Sequence, residues 1–281
     1  MQVTSVFQSQ AEADRLNVQS RLLSDVEAPF LRGLFEGRRG LRVLDVGCHS
    51  GEKCVSRFRH AAVGQVLGLE LEGEVARLAE ARFGNERFHF CACDVEREDF
   101  VPWLREQMQT LGIPAFDLIN LSFVLLFLRE PERLLARLLP FLSEDGKILV
   151  TETDDSAAFL EPEGARLNAF LKRLALDPYA GDRSVGSRLP GMLERLGCKG
   201  ELLCSALRAG PGEEARKEEI FTMFFSYFPE DAALLRAHFP GEERYREWLS
   251  WTETEYPRLK EQILSPESTI SMGMAVYACG K

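Results

Sequence analysis

The sequence predicts an α/β protein with a Rossmann-like, doubly wound, mostly parallel sheet of seven strands. An N-terminal helical segment precedes the sheet, and a helical cap is inserted before its last strand. Short apolar runs alternate with helix-compatible runs through the first half of the chain. The first of these runs, 41–46, ends beside an acid and passes into a loop with glycines at 47 and 51. A strand, a tight turn and a helix N-terminus form a cradle for the polar part of a nucleoside-like ligand.

Hydrophobic periodicity predicts each element in chain order. Residues 10–37 carry an apolar stripe with helical spacing, and Gly37 is a stop signal. The next predicted strands are 42–46, 65–71, 87–93, 116–121 and 146–151, with helices at 52–59, 72–83, 102–111 and 133–141 between them. The second half is predicted as a helix over 157–176, a loop over 177–190, a short helix over 192–196, strand six over 201–208, a largely helical stretch over 210–264 and a last strand over 269–278.

These elements divide the chain into an N-terminal helical segment at 1–39, a Rossmann-like ligand-binding core at 40–209, a cap at 210–268 and a final core strand at 269–281. The stretch between the last two strands is too long for an ordinary connection, which favours the cap. Its aromatic run at 221–228 is typical of a packed core, although a substrate cage or a homodimer interface would have a similar composition.

Composition narrows the classes of partner. The 34 basic and 44 acidic residues give a net charge of −10, which disfavours a surface that binds nucleic acid. No apolar run is long enough to span a membrane, and the polar, acidic N-terminus is unlike a secretory signal. The seven cysteines have scattered spacing without further metal ligands nearby, so we expect no metal and reduced core thiols in a cytoplasmic protein.

Acids follow three successive predicted strands. The first motif reads Asp45-Val-Gly47-Cys48-His49-Ser-Gly51, the second acid is Glu70 in GLEL, and the third is Asp94 in CACDVE. With the run FDLINLSFVLLFL and the segment SVGSRLPGMLERLGC, these motifs resemble the class I S-adenosylmethionine-dependent methyltransferases. The resemblance covers about 40–153 well and 184–197 and the last strand more weakly, and His49 stands where the family has its middle glycine.

The resemblance implies S-adenosylmethionine as the cofactor. Glu70 would accept both ribose hydroxyls, Asp94 would accept the adenine amino group, and backbone N–H groups near Gly47 would receive the methionine carboxylate. The implied cofactor-binding set is Asp45, Gly47, Cys48, His49, Gly51, Glu70, Leu71, Asp94, Val95, Asn120, Leu121 and, from the N-terminal helix, Gln19. Taken alone, each acid could equally be a solvated residue at a strand end, and a nicotinamide-binding Rossmann domain is disfavoured because its G-x-G-x-x-G is absent.

The acceptor is expected near the ends of strands four and five. We predict Ser122, Phe123, Tyr179 and Arg183 as substrate-binding residues, and Asp154, Asp155 and His49 as candidate catalytic residues. Alternatives remain for several of them. The acidic loop could simply start a helix at Ser156 with Asp155 or Ser156 as its N-cap, Arg183 could pair with surface carboxylates, and His49 could only fill space.

The sequence therefore predicts a methyltransferase that acts on nitrogen or oxygen of a small molecule. A protein that binds S-adenosylmethionine without transferring the methyl group is the first alternative, because His49 changes the glycine motif. A protein or peptide methyltransferase is the second, and it would need an open groove in place of an enclosed cap.

Overall fold

The computed structural model describes residues 10–174, 177 and 180–280. Eleven helices and eight strands are found in this part of the chain. In chain order they are α1 (Gln10–Phe35), β1 (Leu41–Val46), α2 (Glu52–Phe58), β2 (Val63–Glu70), α3 (Gly73–Phe83), β3 (Phe88–Ala92), α4 (Phe100–Thr110), β4 (Phe116–Ser122), α5 (Pro131–Leu138), β5 (Leu142–Thr153), β6 (Phe159–Glu161), α6 (Ala165–Leu174), α7 (Val185–Arg195), β7 (Lys199–Ala209), α8 (Glu214–Phe225), α9 (Phe228–His238), α10 (Glu243–Thr254), α11 (Tyr256–Leu264) and β8 (Thr269–Gly280).

The larger of two compact units contains residues 27–153, 184–204 and 275–280. Its central strands follow the order β3-β2-β1-β4-β5 and are parallel where they pair. Nearly every residue of β1 and β4 is buried, as expected for strands covered by helices on both faces. The order reverses between β1 and β4, which is where doubly wound sheets bind their ligands. The predicted fold class is confirmed.

The sheet has eight strands where seven were predicted. Its full order is β3-β2-β1-β4-β5-β8-β6, with β7 also pairing with β8. The additional strand is β6, which pairs antiparallel with the start of β8. It replaces the first turns of the helix predicted over 157–176, because Pro162 and Gly164 disfavour a helix there and α6 begins only at Ala165.

The loop predicted over 177–190 is wrong in its second part, because α7 begins at Val185 and contains Pro190. Proline lowers the helical preference of this stretch, but Leu189, Met192 and Leu193 on the same helix are buried. Burial of this apolar face outweighs the local preference of a single residue.

The smaller unit contains residues 10–26, 154–174, 177, 180–183 and 205–274 of the described chain. Phe170, Phe225, Phe228, Trp248 and Trp251 form its aromatic cluster, in which Phe170 lies 4.6–5.7 Å from each of the other rings between centroids. Each of the five side chains is at most 8 % exposed. The cluster is therefore a packed core, and it has no open ring face of the kind a cage for a cationic ligand requires.

Among the described residues, no helix combines the length and apolar character needed to cross a membrane. The same part of the chain contains no group of three metal-ligating side chains arranged to hold an ion. All seven cysteines are free thiols.

Candidate active site

The loop after β1 turns sharply because three of its residues adopt left-handed backbone conformations. Gly47 has φ of 73°, His49 of 49° and Gly51, the N-cap of α2, of 76°. Gly47 is also closely approached, since a Cβ atom at this position would lie 2.6 Å from Cγ2 of Val124. Glycine is thus required at position 47 for both its backbone angle and its lack of a side chain.

His49 occupies the position where the resembled motif has its middle glycine, and it keeps a left-handed backbone. This conformation costs a non-glycine residue about 1 kcal/mol or more. The surrounding contacts hold it: the backbone N–H of His49 donates to Oε2 of Glu70 at 2.9 Å. The loop and the end of β2 are therefore connected through the main chain of His49.

Glu70 ends β2 and is half-buried. Besides the bond from His49, its Oε1 accepts the backbone N–H of Glu72 at 3.1 Å. These two bonds fix the orientation of the carboxylate, and each oxygen retains a second lone pair for a further donor. The next side chain, Leu71, is 64 % exposed and leaves an apolar surface beside the carboxylate.

Asp94 follows β3, the strand that pairs with β2, and Ala92 of β3 lies opposite Glu70. Its side chain is exposed and accepts the backbone N–H of Glu96 at 2.8 Å. Val95 is buried. The parallel pairing of β2 and β3 thus brings the two predicted acids to the same edge of the sheet.

Asp45 and Asn120 lie opposite each other on the neighbouring strands β1 and β4. Nδ2 of Asn120 donates to Oδ1 of Asp45 at 2.6 Å, and both side chains are buried. Burial raises the pKa of Asp45, an effect that the charge of Arg57 opposes. Oδ1 of Asn120 is buried and has no hydrogen-bond partner within the described part of the chain. It is thus an acceptor available to a donor that the protein itself does not supply.

Cys48 and Leu121, two other residues predicted to bind the cofactor, offer no polar side-chain group to a ligand. The side chains of Cys48 and Leu121 are buried, and burial raises the pKa of the Cys48 thiol well above its usual range. A thiol with this pKa stays protonated and unreactive. Any contact of Cys48 or Leu121 with a ligand is therefore expected to come from the backbone.

A buried ion pair beneath this edge was not predicted from the sequence. Glu27 of α1 is 1 % exposed and lies 2.7 Å from Arg57 of α2, measured between Oε2 and an Nη atom. Its other oxygen accepts the hydroxyl of Thr151 at 2.8 Å. Glu27 thus ties the end of α1 to both α2 and β5, and it compensates the charge of Arg57 beside Asp45.

The post-β4 segment, residues 123–127, begins directly after Ser122. Phe123 has φ of 56°, a conformation that costs a bulky residue of this kind about 1–3 kcal/mol. Its backbone N–H donates to the carbonyl oxygen of Thr151 at 2.8 Å. Ser122 and Phe123, both predicted to contact the acceptor, are half-buried at the carboxyl end of β4.

Glu152 of β5 holds the next two residues of this segment. Its side chain is 0 % exposed, and its Oε1 accepts the backbone N–H groups of Val124 at 2.9 Å and Leu125 at 2.6 Å. Oε2 is buried without a hydrogen-bond partner among the described residues. Burial raises the pKa of this carboxyl to about 8, although the bonds from Leu125 and Val124 lower it. The sequence signal for a buried acid here is the position of Glu152 two residues after the apolar run of strand five, residues 148–150.

This pKa makes the stability of the protein depend on pH. Because the folded-state pKa of about 8 exceeds the ordinary value of 4.5, the folded protein binds more protons than the unfolded chain between these values. We expect the free energy of unfolding to fall by several kcal/mol, on the order of 4, as pH rises from about 5 to about 8. Urea unfolding of Glu152→Gln should lack this contribution. Glu144→Gln, the same change at an exposed position of β5, should retain it, and identical pH dependence of the two variants would contradict the assignment.

The acidic run after β5 lies in the smaller unit from Asp154 onward. Asp155–Ala157 form one 3₁₀ turn, and the side chain of Asp154 accepts the backbone N–H of Ser156 at 3.2 Å. The alternative in which Asp155 or Ser156 caps a helix is therefore wrong, because the cap is Asp154 and the turn does not continue.

Asp155 and Arg183 form a bidentate ion pair. Nε and Nη2 of Arg183 donate to the two carboxylate oxygens at 2.7 and 2.9 Å, and Nη1 donates to the hydroxyl of Tyr227 at 2.8 Å. Arg183 is buried, and burial raises the pKa of Tyr227 to about 12. Arg183 thus pairs with a carboxylate of its own unit, and a ligand would share it with Asp155 and Tyr227.

Two further predicted residues remain. Gln19 is buried in α1, where its Oε1 accepts a bond from Arg15 at 3.1 Å. Arg15 also donates to the carbonyl oxygen of Met223 and lies over the Tyr227 ring. Tyr179 lies outside the described residues.

Comparison with known proteins agrees with this geometry. Residues 44–150 match the family model of a methyltransferase domain. A search of curated protein sequences finds no match. The fold is similar to a candidate methyltransferase from Bacillus halodurans C-125, with a TM-score of 0.55, 16% identity, and coverage of 91% of this chain and 98% of that one.

Two further solved structures share the fold. The plantazolicin methyltransferase BpumL in complex with SAH has a TM-score of 0.50 and 12% identity, with 99% of this chain and 93% of that chain covered. The [4+2]-cyclase SpnF has a TM-score of 0.50 and 20% identity, with 93% and 81% covered. One fold therefore carries transferase activity in one neighbour and cyclase activity in another, so the chemistry has to be argued from the site.

Residues 44–150, which carry the glycine loop and the acids at successive strand ends, are thus similar to a methyltransferase domain. The cofactor that these motifs imply is S-adenosylmethionine.

Proposed function

We propose that the protein transfers the methyl group of S-adenosylmethionine to a nitrogen or oxygen atom of a small-molecule acceptor. The observation that carries this proposal is the position of Glu70: a half-buried carboxylate, oriented by two backbone bonds, at the end of the strand next to the glycine loop. A carboxylate held in this way accepts two adjacent hydroxyls, such as those of a ribose, and favours a ligand without a phosphate at that point.

Residues of the larger unit are proposed to bind each part of the cofactor. Leu71 would cover one face of the adenine, Asp94 would accept its amino group, and Val95 would lie beside the ring. The main chain of 47–51 would receive the methionine carboxylate at the N-terminus of α2. The unpartnered Oδ1 of Asn120 suits the ammonium group, since a buried acceptor without a donor is costly otherwise. The bound cofactor supplies an activated methyl group.

The acceptor side is proposed to include Ser122 and Phe123 of the larger unit. Tyr179 and Arg183 stay predictions from the sequence. Methyl transfer is an in-line displacement that depends chiefly on proximity and exclusion of water, and a base is needed only when the nucleophile carries a proton. Asp154, Asp155 and His49 are the candidates for that base. Oδ1 of Asp154 accepts both the backbone N–H and the hydroxyl of Ser156, so the remaining acceptor capacity of this carboxylate lies on Oδ2. Asp155 would act only with Arg183 attached.

The test has two stages. Calorimetric titration with S-adenosylmethionine and S-adenosylhomocysteine should show binding. The protein is then incubated with a panel of small amines and phenols and, separately, with peptides. A small molecule of the panel should give a product heavier by one methylene in mass spectrometry. Absence of cofactor binding would overturn the proposal. Methylation of peptides but of no small molecule would favour a protein or peptide methyltransferase.

A protein that binds the cofactor without transferring its methyl group is a second candidate function. It is favoured by His49 in the glycine loop and by the similarity of the fold to a cyclase. Binding of the cofactor without turnover on any acceptor of the panel would support this candidate.

His49 offers a separate prediction. Because Glu70 accepts the backbone N–H of His49, a group that glycine keeps, we expect His49→Gly to bind S-adenosylmethionine within about 3-fold of the wild type. His49→Asn is the matched variant, since asparagine also tolerates a left-handed backbone. Calorimetry measures the affinity of both. If the ring is the catalytic base, both variants should lose turnover at unchanged affinity; a loss of affinity in both would instead place the ring against the cofactor.

A further inference from the structure

Glu152 is a buried acidic residue to which the proposed cofactor contacts assign no role. It lies near the end of β5 with a side chain that is 0 % exposed, in a strand whose neighbouring residues are also buried. Burying a carboxyl in such surroundings is unfavourable unless its polar atoms are used. A hydrophobic residue would fill the same space at lower cost, so the carboxyl calls for an explanation.

Its contacts supply one. Three consecutive backbone N–H groups of the post-β4 segment point to the end of β5: that of Phe123 to the carbonyl oxygen of Thr151, and those of Val124 and Leu125 to Oε1 of Glu152. The left-handed backbone of Phe123 followed by the right-handed one of Val124 forms a concavity that binds an anionic or strongly accepting group. Here the side chain of Glu152 fills that concavity.

The segment held in this way borders both sides of the proposed reaction. On one side, the side chain of Val124 packs against Gly47 so closely that a Cβ there would lie 2.6 Å from Cγ2. On the other side lie Ser122 and Phe123, the proposed acceptor contacts. Movement of the segment would therefore displace the glycine loop and the acceptor region together.

We propose that Glu152 is a positioning residue for methyl transfer, which acts by holding the post-β4 segment between the glycine loop and the acceptor site. The inference rests on the proposed function, because it assigns Glu152 a role in that same site. The raised pKa agrees with it, since the carboxyl is held without charge below about pH 8 and acts through its hydrogen-bond acceptor. Glutamine preserves that acceptor at nearly the same volume, whereas leucine preserves the volume alone.

The test compares Glu152→Gln and Glu152→Leu with Glu144→Leu, the matched change at an exposed position of the same strand. Each variant is titrated with S-adenosylhomocysteine, and amide hydrogen exchange of residues 123–127 is followed by mass spectrometry. We expect Glu152→Gln to stay within about 3-fold of wild-type affinity. Glu152→Leu should bind at least about 10-fold more weakly, with faster exchange in the segment, because two amides lose their acceptor. Glu144→Leu should match the wild type in both measurements.

A purely structural role would give a different result. Glu152→Leu would then lower the melting temperature while leaving affinity and segment exchange unchanged, and this outcome would overturn the inference. If the leucine variant does not fold, Glu152→Asp replaces it, because aspartate shortens the side chain by one methylene. This variant should also lose affinity for S-adenosylhomocysteine, to a smaller degree. Wild-type affinity of Glu152→Asp would likewise contradict the inference. Failure of the proposed function is distinguishable, since the wild-type protein itself would then not bind S-adenosylhomocysteine.

Discussion

Replacing Glu70 with alanine is expected to weaken S-adenosylmethionine binding on the order of 100-fold. Two charge-assisted hydrogen bonds to the ribose hydroxyls, each contributing about 1.5 kcal/mol, would be lost together. The change would also release the backbone N–H of His49, which donates to this carboxylate at 2.9 Å, and so loosen the glycine loop. Calorimetric titration of the folded variant measures the loss.

Glu74→Ala is the control for this variant. Glu74 lies four residues further along, in the first turn of α3, where its carboxylate is exposed and 3.6 Å from Arg77. Exposed ion pairs of this kind contribute little to the stability of the protein, so Glu74→Ala should fold and bind the cofactor as the wild type does. If Glu70→Ala binds S-adenosylmethionine with wild-type affinity, the assignment of the cofactor site is wrong.

Replacing Gly47 with alanine is expected to abolish measurable cofactor binding and to destabilise the protein by about 2–4 kcal/mol. The left-handed backbone contributes about 1 kcal/mol of this loss. The new Cβ would lie 2.6 Å from Cγ2 of Val124, and relieving that overlap costs a further 1–3 kcal/mol, roughly. Because both residues border the proposed site, the backbone shift would displace the loop that receives the methionine carboxylate.

Gly112→Ala separates the two causes. Gly112 has a similar φ of 67°, but a Cβ there would meet nothing within 4 Å. The left-handed backbone is therefore the only cause of destabilisation in Gly112→Ala. It should lose about 1 kcal/mol of stability in urea unfolding and keep its cofactor affinity. Combining Gly47→Ala with Val124→Ala should recover the steric part of the loss. Equal destabilisation by Gly47→Ala and Gly112→Ala would show that Val124 does not restrict the loop.

The parallel core was predictable because its strands are short apolar runs with buried neighbours on both sides. Such runs are defined locally, and the acids Glu70 and Asp94 follow them directly in the sequence. The cofactor half of the candidate site depends on these same strand ends. For this reason, the local sequence alone predicts that the glycine loop and both acids lie at one edge of the sheet.

Features that depend on distant contacts were not predictable in this way. The strand β6 forms only because the start of β8 pairs with it, more than 100 residues later. The ion pair of Asp155 with Arg183 and the bonds of Glu152 to the post-β4 segment likewise join residues about 28 positions apart. Local sequence shows that an acid is present, but not which donors the fold brings to it.

A crystal structure of the protein with S-adenosylhomocysteine would test the assignment of the cofactor site most directly. We expect the ligand at the carboxyl ends of β1 and β2, with both ribose hydroxyls within hydrogen-bond distance of the Glu70 carboxylate. The sulfur of the ligand should face the post-β4 segment. Ligand bound at another place, or ribose hydroxyls out of reach of Glu70, would contradict this assignment.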